Sequence, residues 1–590
     1  MRWSFKIIGL SAVLSTSIAL LSLRQPQTPA EETRQLLVLQ SDTLRSAIRH
    51  LQMIPATRAN TTRLQEGFRL VRMVYKRLEW ATEYFDPLTA RQINGPPVPE
   101  AEFSGLVVQP DGLQMMEELF FPRFRPKNIR ELSGLLDRLS ANALAFRSFF
   151  QKTSLEDWQI LDALKLEIFR VEILGLNDFD DPLLRNCFAE SAAALESVQA
   201  VIRHYDPEAD FAPAIRYLLS PSVSSDDFDR AEFISRYANP LTRNIKTLHD
   251  RSNFPDVRYN RLLNQNAATL FDTNAFNRNA FTASPGDSAT SNKIILGKLL
   301  FFDPVLSGNG KRSCASCHRP DQAFSDGLAR NLDLSGKHPI ARNTPTLINA
   351  ALQPAQFYDQ RAPSLEEQAS DVLHNHDEMH GDMQIAAGKL WNNGRYRQLF
   401  EQAYPKKERT AVDTLEVTNA LASYVRSLTA LNSRFDDYMR GRAEALSADE
   451  LRGFNLFMGK AKCSTCHYLP LFNGALPPRY MQMESEVIGV PEYKDSRQID
   501  PDPGMHGIQA LDFNLHAFKI TTVRNAARTA PYMHNGIFET LEEVIDFYDK
   551  GGGTGNGIAV PNQTLPPDPL LLTKNEKTQL IAFIKSLDSR

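Results

Sequence analysis

A chain of 590 residues exceeds what one ordinary hydrophobic core can organise, so length alone predicts roughly two to four domains. With 42% hydrophobic and 23% charged residues, the composition excludes a disordered or fibrous polymer. The formal net charge of -4 lacks the basic excess of nucleic-acid binders, and no nucleic-acid partner is expected.

At the N-terminus, Arg2 and Lys6 precede an apolar run from Ile7 to Leu23, the layout of an export signal. No clean A-x-A cleavage site follows, so residues 1–30 read as a signal peptide or a membrane anchor, with the remainder exported to the periplasm. No later stretch is long and apolar enough to span a bilayer. Residues 31–255 read as an N-terminal helical domain; in LQEGFRLVRMVYKRLEW, residues Leu64, Phe68, Val71, Val74 and Leu78 recur at three and four. The segment NGPPVPEAE, residues 94–102, is a proline-rich break within it, and Cys187 reads as a small buried residue on a helix. Residues 256–292 read as a linker, richest in Asn, Ser, Thr and Gly from Phe271 to Asn292.

Two segments of similar plan follow, 293–440 and 441–590, each with an apolar helix, a CxxCH pentapeptide, a Pro/Gly-rich loop region and a closing helix. Capping-box patterns mark helix starts at Ser364, Asp413, Ser447, Thr540 and Thr573, each with a Glu three residues on. No run of alternating strand residues appears, which makes the whole mainly α.

The pentapeptides are CASCH, with Cys314, Cys317 and His318, and CSTCH, with Cys463, Cys466 and His467. Disulfides, zinc, a redox dithiol and thioether anchors for haem all use paired cysteines. Zinc halves usually lie within tens of residues, whereas about 145 residues separate these, and a thioredoxin-type dithiol wants a βαβ unit that is not visible. Neither needs a histidine after each second cysteine. Attachment of c-type haem does: the sulfurs bond the porphyrin and the adjacent histidine, His318 or His467, turns under the iron. Two covalent c-type haems are therefore expected, in two tandem cytochrome c-like domains preceded by the all-α helical domain.

From FFDPVLSGNGKRSCASCHRPDQAFSDG through RNTPTLINA, FYDQRAPSLEEQA and DEMHG to FKITTVRNAARTAPYMHNGIFETLEEVIDFYDKGGG, the sequence closely resembles the bacterial di-haem cytochrome c peroxidase and MauG family. The resemblance covers about residues 290–590 and leaves the helical domain outside. It implies that the first haem reacts with peroxide and that Glu378 and Gln368 line its open face, with the carboxylate moving a proton between the two peroxide oxygens. It also implies a structural calcium held by Asn343, Thr529 and Pro531, as suits a hard ion, and a homodimer as the common assembly.

The helix TLEEVIDFYDKGG puts Leu541, Val544, Ile545 and Tyr548 on one face. Ordinary peroxidases of the family hold a methionine at the last position, as distal ligand of the second haem, and MauG-like members a tyrosine; the resemblance thus makes Tyr548 that ligand here, with Met533 and His534 in the pocket lining. A phenolate favours higher oxidation states of iron where methionine favours Fe(II). The family's inter-haem tryptophan is Tyr358 in this chain, an altered electron path. His338 lies near the region of a distal histidine in the peroxidases but reads as a loop residue, and His374, His376 and His380 read as pocket rim rather than zinc ligands. The expected activity is reduction of hydrogen peroxide to water with electrons from a small cytochrome c or cupredoxin. The alternatives are MauG-like oxidation of a protein substrate, or a non-catalytic electron-transfer or peroxide-sensing protein.

Overall fold

The computed structural model describes residues 28–590 apart from 102–106, 125–128, 221–225, 258 and 407. The apolar run at 7–23 lies outside the described residues, and among those described no helix is long and apolar enough to cross a membrane. The architecture is mainly helical, with two short two-stranded antiparallel ladders, Glu100–Ala101 with Val107–Val108 and Ser485–Glu486 with Phe518–Lys519.

The first helix among the described residues, Pro29–Met53, begins where Thr28 accepts from Glu31 N–H, with proline in the first turn and Glu31 and Glu32 at the positive end of the dipole. Its stripe of Leu37, Leu44, Ile48 and Leu51 is fully buried, and the helix packs along Ile129–Lys152. Helix Thr61–Lys76 buries Leu64, Phe68, Val71 and Val74, the face its spacing predicts. At the centre runs Asp157–Ile173, in which every residue from Ile160 to Ile173 is buried. Two of its polar members are answered from outside: Asp162 accepts both guanidinium arms of Arg261, at 2.7 and 2.9 Å, and Arg170 reaches Glu79 at 3.2 Å. Beside it Arg72 forks onto Glu190 at 2.7 and 2.8 Å, both nearly inaccessible.

The stretch that reads as a linker is irregular but not loose. Leu262, Leu263, Leu270, Phe271 and Ala275 are buried, and Lys165 from the central helix pins its carbonyls at Gln265 and Ala267. Its Asn, Asp and Thr side chains satisfy the turning backbone locally, as Asn264 does for Asn266 N–H and Asp272 for Ala268 N–H, which lets apolar residues between them enter the core without a helix.

The two C-terminal segments repeat a helix crossing. Ser291–Phe302 packs on Thr414–Ser427, and Ala448–Met458 on Lys574–Ser586. At each crossing a glycine permits contact: a Cβ on Gly297 would strike the carbonyl oxygen of Ala420, and one on Gly453 that of Gln579. The helices begin where the caps predict. Ser447, Thr540 and Thr573 form reciprocal boxes; Ser364 caps Glu367 N–H alone, and Asp413 turns to Leu415 N–H.

The cores divide unevenly. Residues 296–425 enclose their own cluster, around Leu296, Leu300, Leu390, Phe400 and Val417. The N-terminal helices instead share one continuous core with residues 435–587, through Phe271 against Phe435 and Phe276 against Tyr480.

Candidate active site

Helix Ser291–Phe302 leads into the turn Cys314–Ser316, which Ser313 and Ser316 cap reciprocally. The next residue but one after Ser316, His318, donates backbone N–H to Cys314 O at 2.9 Å. Ala323 and Phe324 adopt left-handed backbone and fold the chain back, so that Phe324 O accepts from His318 Nδ1 at 3.0 Å. Because a carbonyl can only accept, the proton sits on Nδ1 and the Nε2 lone pair is left available. Burial, opposed by the backbone of Phe324 and Pro345, lowers the imidazole pKa and keeps the ring neutral.

This pentapeptide opens into a cavity of about 930 Å³, near the top of the range of roughly 300–1,000 Å³ that cofactor sites occupy. Gln368, Glu378, Tyr358, Asn343, Thr529 and Pro531 all line it, so residues from distant parts of the sequence meet around Cys314, Cys317 and His318. Gln368 rides on helix Leu365–His374, whose face also carries Leu365, Ala369 and Val372 into the cavity. Glu378 accepts from Asn375 Nδ2 at 2.8 Å. Burial raises its pKa above the ordinary 4.5, against the opposing charges of Arg361 and Arg312. Arg312 also clamps the loop, donating to the carbonyls of Asp377, Glu378, Leu332 and Asp333 at 2.6–3.3 Å.

Tyr358 donates its hydroxyl to Asn343 Oδ1 at 3.3 Å, while Asn343 Nδ2 donates to Leu328 O at 2.9 Å, fixing which end of the amide faces the cavity. Lys519 reaches the same cavity, its Nζ donating to Ala355 O at 3.2 Å; burial pushes this ammonium down to about 7. Asn375, Arg312, Arg361 and Lys519 are missed by sequence reasoning. Arg312 and Lys519 act through backbone carbonyls, Arg361 through its charge, and Asn375 through a side-chain bond to Glu378 three residues on, which no motif announces.

The second pentapeptide forms the same turn, Cys463–Thr465, entered through Lys462 in left-handed backbone. His467 donates N–H to Cys463 O at 2.9 Å. Burial pushes its imidazole down to about 4 against the backbone groups of Phe472 and Thr521, and its Nδ1 makes no well-formed hydrogen bond. Cys466 Sγ lies 3.5 Å from Glu486 Oε1, and Thr564 bonds the other carboxylate oxygen. Helix Leu541–Asp549 carries Tyr548 to this cleft: burial first, then the field of Cys466, Cys463 and Glu486, holds its phenol well above the ordinary range.

The remaining histidines lie elsewhere. His338 is exposed, Met533 lines the first cavity, and His534 lies flat on Phe518 with ring centroids 3.7 Å apart. His374, His376 and His380 are exposed, and His374 Nδ1 donates to Ser370 O. Among the described residues the group with metal-like spacing is instead Asp178, Asp181 and Cys187, where the charges of Arg230 and Arg72 answer the carboxylates.

The family model for di-haem cytochrome c peroxidase matches residues 291–444. The methylamine utilization protein MauG of Methylorubrum extorquens is 35% identical over 298 residues, covering 50% of this chain and 78% of that one. The chain belongs to the di-haem cytochrome c peroxidase/MauG family. The cytochrome c551 peroxidase of Nitrosomonas europaea is 32% identical over 293 residues, again 50% of this chain and 78% of that one. A crystal structure of a MauG-like protein associated with microbial copper homeostasis is 27% identical, covering 52% of this chain and 92% of its own, with a TM-score of 0.46. As a di-haem peroxidase-type oxidoreductase that acts with peroxide, the protein carries two c-type haems. The residues present fit them: each turn offers two half-buried thiols and a half-buried histidine whose pKa is lowered, and the first opens onto a cavity of cofactor size.

Proposed function

We propose that the protein is a periplasmic peroxidase that reduces hydrogen peroxide to water at the first pentapeptide, with electrons delivered by a small cytochrome c or cupredoxin. The observation that carries this reading is the meeting of Glu378 and Gln368 in the same cavity as Cys314, Cys317 and His318, with Glu378 held by Asn375. When bound, the haems supply the iron at which peroxide is reduced and the route by which two electrons arrive. Cys314 and Cys317 tether the first and Cys463 and Cys466 the second, by thioether bonds. His318 and His467 would each offer a ring nitrogen to the iron, and Tyr548 would supply a phenolic ligand at the second.

The chain's own chemistry is proton handling. Glu378, ionised, takes the proton from the peroxide oxygen nearer the iron and returns it to the farther oxygen, which leaves as water; a carboxyl with a raised pKa can do both. The Gln368 amide orients the peroxide beside it. Two electrons and two protons per H₂O₂ balance the formation of two waters. Tyr358, which lines the same cavity, would carry electrons between the haems, and a calcium ion would be held by the Asn343 side chain with the backbone oxygens of Thr529 and Pro531.

A second reading, oxidation of an aromatic residue on a protein substrate, is favoured by Tyr548 at the position where a methionine would otherwise mark an ordinary peroxidase. The test is turnover of peroxide by the purified protein with a reduced small cytochrome or cupredoxin, alongside the ferric spectrum. Donor oxidation matched two-to-one to peroxide is expected; two low-spin haems inert to peroxide would overturn the proposal.

A further inference from the structure

The family match begins at residue 291, yet the helices before it are built into the second pentapeptide's surroundings. Asn177, 4% exposed, donates its side-chain N–H groups to Ile173 O at 2.9 Å and to Ser464 Oγ at 3.0 Å, with Ser464 O at 3.4 Å. Ser464 is the residue between Cys463 and Thr465 and is fully buried. The Asn177 Oδ1 accepts from Phe179 N–H at 3.2 Å, and the Phe179 ring meets Tyr468, one residue past His467, edge-on at 5.9 Å. A second tie grips the helix that leads into the turn: Asn455 Oδ1 accepts from Arg230 and Ala231 N–H at 2.9 and 3.3 Å. In the first pentapeptide the turn is finished only by its own Ser313 and Ser316, and Ser316 is exposed.

We infer that the N-terminal helical region is the outer shell of the second haem site, and that Asn177 is a positioning residue which fixes the turn between Cys463 and Cys466 and keeps that side of the site dry. Groups that orient a haem's attachments, and the dielectric around it, set its potential. The amide of Asn177 donates to a buried hydroxyl that itself donates to Met458 O, and approaches a buried carbonyl, so its loss leaves both acceptors short of a donor and frees the turn. The inference rests on the two-haem reading.

The test uses the full-length protein loaded with haem. Asn177→Ala and Ser464→Ala remove the two ends of the same hydrogen bond; Gln52→Ala, which removes a surface bond to Asp137 in the same helical region, is the control. Haem content is measured by mass, and the two midpoint potentials by spectroelectrochemistry. Both variants are expected to shift the potential of the second haem in one direction and leave the first in place, with the double variant shifting no further than either single. The control should move neither. Should Asn177→Ala fail to fold, Ser464→Ala deletes one oxygen atom and carries the same expectation. Two haems with an unmoved second potential in Ser464→Ala, or shifts that simply add, would overturn this inference alone. A parent protein without two haems would overturn the haem reading and this inference with it.

Discussion

The turns at Cys314 and Cys463 use the same local geometry and differ in what surrounds them. The first is self-capped and meets solvent at Ser316, and its histidine donates to Phe324 O. The second is roofed by Asn177, and its histidine sits less closely against the backbone of Phe472 and Thr521. Identical attachment chemistry can therefore serve two tasks, with the difference placed in neighbours: a carboxyl and an amide near one turn, a phenol and a helical domain near the other.

The sharpest way to break this division is Glu378→Gln. It should slow the reaction with peroxide by roughly 10²–10⁴-fold, the usual contribution of a general acid–base group, with both haems retained; stopped-flow mixing measures it. An unchanged rate would mean that the first cavity is not the reacting one. Next in size is Asp436→Ala. The carboxylate accepts both arms of Arg524 at 2.7 and 2.9 Å inside the shared core, and removing one partner of such a buried pair costs about 3–5 kcal/mol. Hydrogen exchange should show protection lost in the N-terminal helices as well as around Ala448–Met458, and less in the core of residues 296–425. Loss confined to residues after 435 would show that the two halves do not share stability.

Tyr548→Phe should abolish the low-spin signal of the second haem in electron paramagnetic resonance and spare the first. A preserved signal would remove Tyr548 as ligand. The smallest expected effect is a displaced pH limb. Glu378 must be ionised to take a proton, and its pKa is raised, so kcat/KM for peroxide should fall on acidification at a pH above the ordinary carboxylate value of 4.5. The limb should disappear in Glu378→Gln, and a limb that persists there belongs to another group.

Much of this was readable before folding. The pentapeptides, the caps at Ser447, Thr540 and Thr573 and the face of Leu64, Phe68 and Val71 are encoded within a few residues, where spacing and chemistry coincide. Glu378 and Gln368 were legible only through a family resemblance; nothing local distinguishes Glu378 from a solvated loop charge. Arg312 and Lys519 gave no signal because their partners are main-chain oxygens, and Asn375 gave none because an Asn three residues before a Glu is common in any loop. The stretch before residue 292 misled for a related reason. Its Asn- and Thr-rich composition reports an irregular backbone, whereas its burial depends on Leu262, Phe271 and Phe276 finding Phe435 and Tyr480, contacts across more than a hundred positions.

The shared core also constrains how the protein is made. The helices synthesised first cannot complete their packing until Phe435, Tyr480 and Phe583, synthesised last, arrive. Asn177 and Ser464, 287 positions apart, meet only in that closure, so the roof over the second turn is among the last contacts to form.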